Sequence, residues 1–206
     1  MEIKKENAIA AYNAADENTK KALLALLPEL NETVKPKDIT ERIKTFEDAC
    51  RELGENHPLV LHYSFNFNEE GGWNDDGYVN DLEAYLKLRI ICAALNEGWE
   101  PEFTEDEWRW YPWFSLWTEE ELSKKSDEWK ADRHLISTGD CSGDFAGFAY
   151  AYSVDAPSNT NTSVGSRLCF KSEALATYCG KQFISLWADF NLIKNNDYVF
   201  KRFKAR

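Results

Sequence analysis

Two periods of apolar residues run along this chain, and the switches between them mark its elements. Ile3 to Leu27 is Ala-rich, and Ile9, Tyr12, Leu23, Leu26 and Leu27 form a broken stripe, predicting a helix that Pro28 ends. Pro36 opens a second helix in which Ile39, Ile43, Phe46, Cys50 and Leu53 share one face, with Gly54 as its C-terminal cap. Leu59–Phe67 (LVLHYSFNF) alternates in part and predicts a strand, and Asn68–Gly77 is turn-rich. Asp81–Asn96 is the clearest helix, with Leu82, Tyr85, Leu86, Ile90, Ala93 and Leu95 apolar and Gly98 closing it. A Trp-rich segment follows, and Glu119–Arg133 reads as a short helix or loop. Further on, Phe148, Tyr150, Tyr152 and Val154 would share one face of a strand and Ala149, Ala151 and Ser153 the other. Arg167–Phe170 is a short predicted strand. Ser172 is placed to cap a last helix with a stripe of Leu175, Cys179, Phe183, Leu186, Trp187 and Phe190. Tyr198–Phe203 is a predicted edge strand. Helices lead and short strands cluster late, so the expected class is α+β.

With 43% apolar and 14% aromatic residues in 206, the chain can bury a real core. Net charge is −12, which disfavours binding to nucleic-acid phosphates. The charge is uneven: Glu97–Glu121 is acidic, while Lys194, Lys201, Arg202, Lys204 and Arg206 make the tail basic. Both are read first as solvated surface. The tail also interleaves Tyr198, Phe200 and Phe203, as single-strand binders do, but the overall charge argues against that use. The five cysteines lack a C-x-x-C pair, and Cys50, Cys92 and Cys179 fall in apolar periodic stretches, which fits a reducing compartment. The N-terminus has no apolar signal region and no run is long enough to span a bilayer, so a cytoplasmic site of synthesis without membrane insertion is expected.

Gly139–Ser166 differs from the rest of the chain. It contains no Lys, Arg, Glu, Gln, His, Leu, Ile, Met or Trp and consists mainly of small polar residues with a few aromatics. That mixture is the chemistry of adaptable recognition surfaces. Within it, Asp140, Asp144, Phe145, Tyr150, Tyr152, Asp155, Asn159 and Asn161 are the expected ligand-binding residues, Tyr giving rigid contact area and Asn and Asp directional hydrogen bonds. Catalytic patterns are weaker. Cys141 or Ser142 in a Gly-Asp-Cys-Ser-Gly turn, with Asp132 and His134 upstream, sketches a nucleophile without fixing its geometry. Glu105 and Glu107 are an acid/base pair only if they share a face. His57, His62 and His134 lack ligand spacing, and Asp75-Asp76 reads as a turn rather than a calcium loop, so no metal or other cofactor is expected. The tryptophans Trp99, Trp108, Trp110, Trp113 and Trp117 read as core and edge packing.

Leu95-Asn96-Glu97-Gly98-Trp99, then Pro101, Thr104 and Glu107-Trp108, and finally Gly165-Ser166-Arg167-Leu168 are similar in order to a passage of bacterial C-type-lectin-like domains. Ser166 stands where those domains carry an aromatic, and the chain continues into a helix where they often end. The strings ERIKTFEDACRELG, AYLKLRIICAALNEGW and GSRLCFKSEALATYCGKQF resemble uncharacterised proteins of gut-bacterial phages and prophages. The two N-terminal helices read as a hairpin for assembly or attachment (residues 1–56), which would carry any homo-oligomeric contact, and the lectin-like resemblance, over about Asp81–Phe170, implies that residues 57–206 are a lectin-like binding domain. The two resemblances imply a non-enzymatic phage protein, cytoplasmic or virion-associated, that binds a glycan or a host-surface protein. Lectin-like variable proteins of diversity-generating retroelements are mutated through NNY codons, which exclude Lys, Glu, Gln, Met and Trp. Gly139–Ser166 lacks all five, so variation confined to this window is a further expectation. The alternatives are an intracellular phage protein that binds a host protein through the acidic Trp-rich surface, and a Cys/Ser hydrolase.

Overall fold

The computed structural model describes residues 4–28, 30, 38–67, 80–102, 104, 106–138, 145–157, 166–192 and 201–202, and within them helices and strands combine as an α+β fold. Two compact units divide the chain, Met1–Arg42 and Ile43–Arg206. In the first, the helix expected over Ile3–Leu27 is two, α1 (Lys5–Ala14) and α2 (Glu17–Leu26). The break comes where Ala15 turns extended and Asp16 becomes an N-cap, its carboxylate accepting the Thr19 N–H at 2.8 Å. The stripe looked broken because it belongs to two helices. One turn, α3 (Ile39–Arg42), ends the unit.

The second expected helix is divided among the described residues, with α3 in the first unit and the rest in the second. After Arg42 the chain restarts as α4 (Phe46–Leu53), opened by a capping box: the Asp48 N–H donates to Thr45 Oγ1 at 3.2 Å, and the Asp48 carboxylate accepts the Lys44 and Thr45 N–H groups at 2.9 Å each. Gly54 takes φ +90° and ends α4 as expected. Helix α4 packs on α6 (Asn80–Leu95) inside the larger unit, so the division lies at Arg42/Ile43 rather than after residue 56. The physical cause is the amphipathic face of α4, whose Ala49 is fully buried and whose Phe46 meets Tyr63 edge-on at 4.8 Å.

The predicted strand Leu59–Phe67 is a helix, α5 (Pro58–Asn66). His57 caps it through Nδ1, which accepts the Leu59 N–H at 3.3 Å, and Pro58 sits at N1, where its fixed φ suits a helix. Tyr63 and Phe67 then stack at 5.5 Å one turn apart, and the Tyr63 hydroxyl donates to Glu83 at 2.9 Å on α6. Helix α6 is the hub of the unit. Leu86, Leu88, Ile90, Ile91, Cys92, Ala94 and Leu95 are all buried, on more than one face, as expected of a central helix. It ends through Glu97 and Gly98, both with positive φ.

The Trp-rich segment forms β1 (Trp108–Thr118), which pairs antiparallel with β3 (Phe145–Pro157) along its whole length. Between them in sequence lie α7 (Glu119–Ser123), α8 (Asp127–Asp132) and β2 (Ile136–Ser137). The sheet order is β1-β3-β2-β4, where β4 is Lys201–Arg202, inside the expected edge strand. Arg167–Phe170 is not a strand: Ser166–Leu168 is a 3-10 turn, and Phe170 alone makes a bridge to Trp110, with N–H···O distances of 3.0 and 2.9 Å. Asn96 holds this segment to α6, donating to Cys169 O at 2.9 Å and accepting the Lys171 N–H at 3.1 Å. Ser172 caps α9 (Glu173–Gln182) as expected, and α10 (Ile184–Asn191) completes the cover of one sheet face. There Phe114 stacks on Phe148 at 4.8 Å and leans on Trp187 at 5.3 Å. On the other face Leu122, Leu135 and Ala149 form a small cluster with Trp117 and Trp129 packed against it.

Burial pushes the Asp48 carboxyl up, but the Lys44 and Thr45 N–H groups and the Arg51 guanidinium outweigh it and hold the group below its ordinary 3.8. A depressed folded value gives stability that is complete above 3.8 and lost as pH falls through the lower folded value. Asp48→Ala is therefore expected to cost about 1–2 kcal/mol at neutral pH. Urea unfolding should show that difference shrinking below pH 3.8; a pH-independent difference would contradict the assignment.

Candidate functional site

Strand β3 carries the described part of the small-residue window, and its two faces have different fates. Gly180 of α9 lies so close to β1 and β3 that an added Cβ would meet Pro112 Cβ at 2.8 Å and Tyr150 Cδ2 at 2.9 Å. Pro112, Phe114, Phe148 and Tyr150 thus share the face under α9 and α10. By the two-residue alternation of a strand, Trp113 stands on the opposite face.

The expected grouping of Tyr152 with Phe148 and Tyr150 is incorrect, because β3 bulges. Trp113 pairs with Tyr152 and the next residue, Phe114, with Tyr150, so Ala151 is the extra residue. The bulge transfers Tyr152 to the Trp113 face and brings Ser153 onto the Tyr150 face. Tyr150 Oη, Ser153 Oγ and Thr177 Oγ1 close a triangle of hydrogen bonds at 3.0, 3.0 and 3.1 Å. Arg133, at the end of α8, latches the irregularity from the side: its carbonyl accepts the Tyr150 N–H at 3.0 Å, and its guanidinium donates to Ala151 O. Two backbone groups beside the bulge are thereby satisfied.

The result is an exposed aromatic pair. Trp113 and Tyr152 stack with centroids 6.1 Å apart and planes within 9° of parallel, yet they are 44% and 55% exposed. Their face is covered further along by Trp117, Trp129 and Lys125, whose ammonium lies 4.8 and 5.0 Å from the two indole centroids. Among the expected ligand residues, Tyr152 is open to solvent, Phe145 is half-exposed at the start of β3, and Asp155 is half-buried opposite Trp110. Tyr150 is not presented to a ligand: it is 6% exposed and belongs to the core. Asp140, Asp144, Asn159 and Asn161 lie outside the described residues, as do Cys141, Ser142, Asp75, Asp76 and Glu105. Sequence reasoning missed Trp113, which it assigned to packing with the other tryptophans. The available signal was alternation in Trp-Arg-Trp-Tyr-Pro-Trp-Phe, which places Trp113 on the face away from Pro112.

Other chemistry-bearing side chains are committed to the fold. Both oxygens of Glu107 accept the Glu102 N–H, at 2.9 and 3.0 Å, and Glu107 Oε1 lies 3.4 Å from Nε of the buried Arg109, whose Nη2 donates to Glu102 O at 3.0 Å. Glu107 is thus a latch for the turn before β1. Glu97 pairs with Lys171 at 3.0 Å, Glu120 with Lys124 at 2.7 Å, and Glu121 caps α7, so much of the acidic run serves its own neighbours. Burial pushes the Cys169 thiol up to about 11 and the Cys179 thiol up to about 12, and raises Cys92 strongly. These thiols stay protonated and unreactive at neutral pH. Among the described residues no group of three or more His, Cys, Asp or Glu side chains is placed to hold a metal ion.

A groove of about 670 Å³ lies beside α9, lined by His134, Glu173, Ala174, Thr177, Tyr178, Lys181 and Gln182. Most of its polar atoms tie elements together: Tyr178 Oη donates to Ile43 O at 2.6 Å, Gln182 to Lys44 O at 2.8 Å, and Lys181 to Asp132 at 2.9 Å. The aromatic pair, by contrast, stands open to solvent. Comparison with protein-family models, curated proteins and solved structures gives no match, so the site is read from its own geometry.

The two tyrosines should separate in a stability assay. Tyr150→Ala is expected to cost about 3–5 kcal/mol, as for other large buried aromatics, while Tyr152→Ala should stay within about 1 kcal/mol of wild type. Urea denaturation of both variants checks this, and equal losses would contradict the bulge.

Proposed function

We propose that this chain is a non-enzymatic recognition protein whose binding surface is centred on Trp113 and Tyr152. One observation carries the reading: two large aromatic side chains are held parallel and exposed on a sheet face whose neighbouring region is covered. A pair fixed on paired strands is pre-organised, so a ligand that stacks on it meets little ordering cost. The sequence on both sides of β3 continues in the same small polar residues, and Asp140, Asp144, Asn159 and Asn161 would supply hydrogen bonds to the ligand. The resemblance to lectin-like domains and to phage and prophage proteins supports a glycan or host-surface molecule as the ligand and a virion-associated setting.

Protein immobilised on a chip should bind at least one member of a panel of surface glycans and surface proteins, and the Trp113→Ala/Tyr152→Ala double variant should lose about tenfold or more in affinity at unchanged Tm. A double variant that binds as well as wild type would sink the reading.

The fold also sharpens the expectation of sequence diversification. Phe148, Ala149 and Tyr150 are buried, and a Cβ on Gly147 would lie 2.8 Å from Leu122 and Leu135 methyls. Deep sequencing of propagated populations should therefore find substitutions at Tyr152, Asp155 and the flanking segments, with Gly147–Tyr150 constant. Substitutions spread evenly over the gene would remove the diversification idea.

A further inference from the structure

We infer that the ligand of the Trp113–Tyr152 pair is a neutral carbohydrate, taken by stacking of a sugar ring on these aromatics; this rests on the recognition reading above. Size is the first argument. A large aromatic side chain offers about 150–250 Å², so two rings about half exposed present on the order of 200 Å². A stable protein partner covers about 800 Å² on each side. Of the other exposed apolar side chains among the described residues of the larger unit, Leu116 is on the opposite, Phe114 face of β1 by strand alternation. Leu61, Phe65 and Leu82 are on α5 and α6, and Trp108 and Phe145 are at opposite ends of the β1–β3 ladder, paired with Pro157 and Thr118. The described aromatic patch is the size of one or two sugar rings.

Ring chemistry is the second argument. A pyranose has a flat face of C–H bonds whose hydrogens carry partial positive charge, and the faces of Trp and Tyr are negative. Its hydroxyls project from the ring edge and need polar partners there. The pair has them at its margin: the Tyr152 hydroxyl, the Trp113 N–H and the Arg133 guanidinium, which already reaches Ala151 O next to Tyr152 and is 34% exposed. Guanidinium donors suit hydroxyl oxygens.

Charge is the third argument. The chain carries −12, and Arg133, the cation that reaches the margin of the pair, has Asp132 Oδ2 3.6 Å from its Nε. An anionic sugar would approach a negative protein and meet a cation already offset by a carboxylate, so an uncharged sugar is favoured over an anionic one.

The test is calorimetric titration of the full chain with cello-, malto-, xylo-, manno- and chito-oligosaccharides, with choline as a cationic probe and a polyuronic oligosaccharide as an anionic one. Saturation-transfer NMR then reports which ligand protons touch the protein. The expected result is binding of at least one neutral oligosaccharide through its ring C–H protons. That binding should weaken about tenfold in Trp113→Ala and in Tyr152→Ala, each keeping the wild-type Tm. No neutral oligosaccharide binding, or tighter binding of choline or the uronic chain through the pair, overturns the carbohydrate assignment. If a purified surface protein binds instead and loses affinity in both variants, the recognition reading stands and only the ligand class fails. If no ligand responds to either substitution, both fail.

Discussion

Everything characteristic of the larger unit depends on how Phe145–Pro157 pairs with Trp108–Thr118. The two strands run antiparallel along their full length, and that pairing is the partition between two differently used surfaces. On one side it fixes Phe114, Phe148 and Tyr150 under α9 and α10, which connects through α10 to the central helix α6. On the other it supports the small cluster around Ala149 and the exposed pair. A single extra residue, Ala151, decides which tyrosine goes where. Were Ala151 paired in regular register, Tyr152 would follow Tyr150 toward α9, and Trp113 would stand alone.

The bulge is held by one residue of the connection between the two strands, Arg133, through both its side chain and its backbone. A ladder that skips a residue strands a backbone carbonyl and an N–H group, each expensive if left without a partner. Arg133 supplies a guanidinium donor to Ala151 O and a carbonyl acceptor to the Tyr150 N–H. The turn that brings it there ends α8 with His134 at φ +51°, the Leu135 N–H returning to Lys130 O and the His134 N–H to Ala131 O. A local helix ending is thereby coupled to the orientation of an exposed aromatic on a strand that lies well beyond it in sequence.

The same architecture limits how the small-residue window can act as a surface. Its residues are small partly because they are packed: Gly147 lies against Leu122 and Leu135, and Ala149 is fully buried. A recognition loop rich in glycine and serine and a tightly packed strand both lack long side chains, and composition does not tell them apart. Only at Tyr152, Phe145 and Asp155, among the described members of the window that sequence singled out, does the side chain reach solvent to a useful degree.

The sequence by itself determined the elements whose signals are local. The α+β class, the helix over Asn80–Leu95, the Ser172 cap and the Gly54 and Gly98 endings follow from periodicity and capping chemistry, which need no distant partner. Leu59–Phe67 was misread because partial alternation of apolar residues outweighed His57-Pro58, an N-cap followed by an N1 proline. The tertiary structure alone decided the candidate site. Strand alternation predicts faces only if every residue stays in register, and the Ala151 bulge depends on Arg133, which no short-range pattern links to β3. Which side of the sheet receives α9 and α10 was likewise settled by packing, so Tyr150 became core and Trp113 became surface although both sit in equally aromatic sequence.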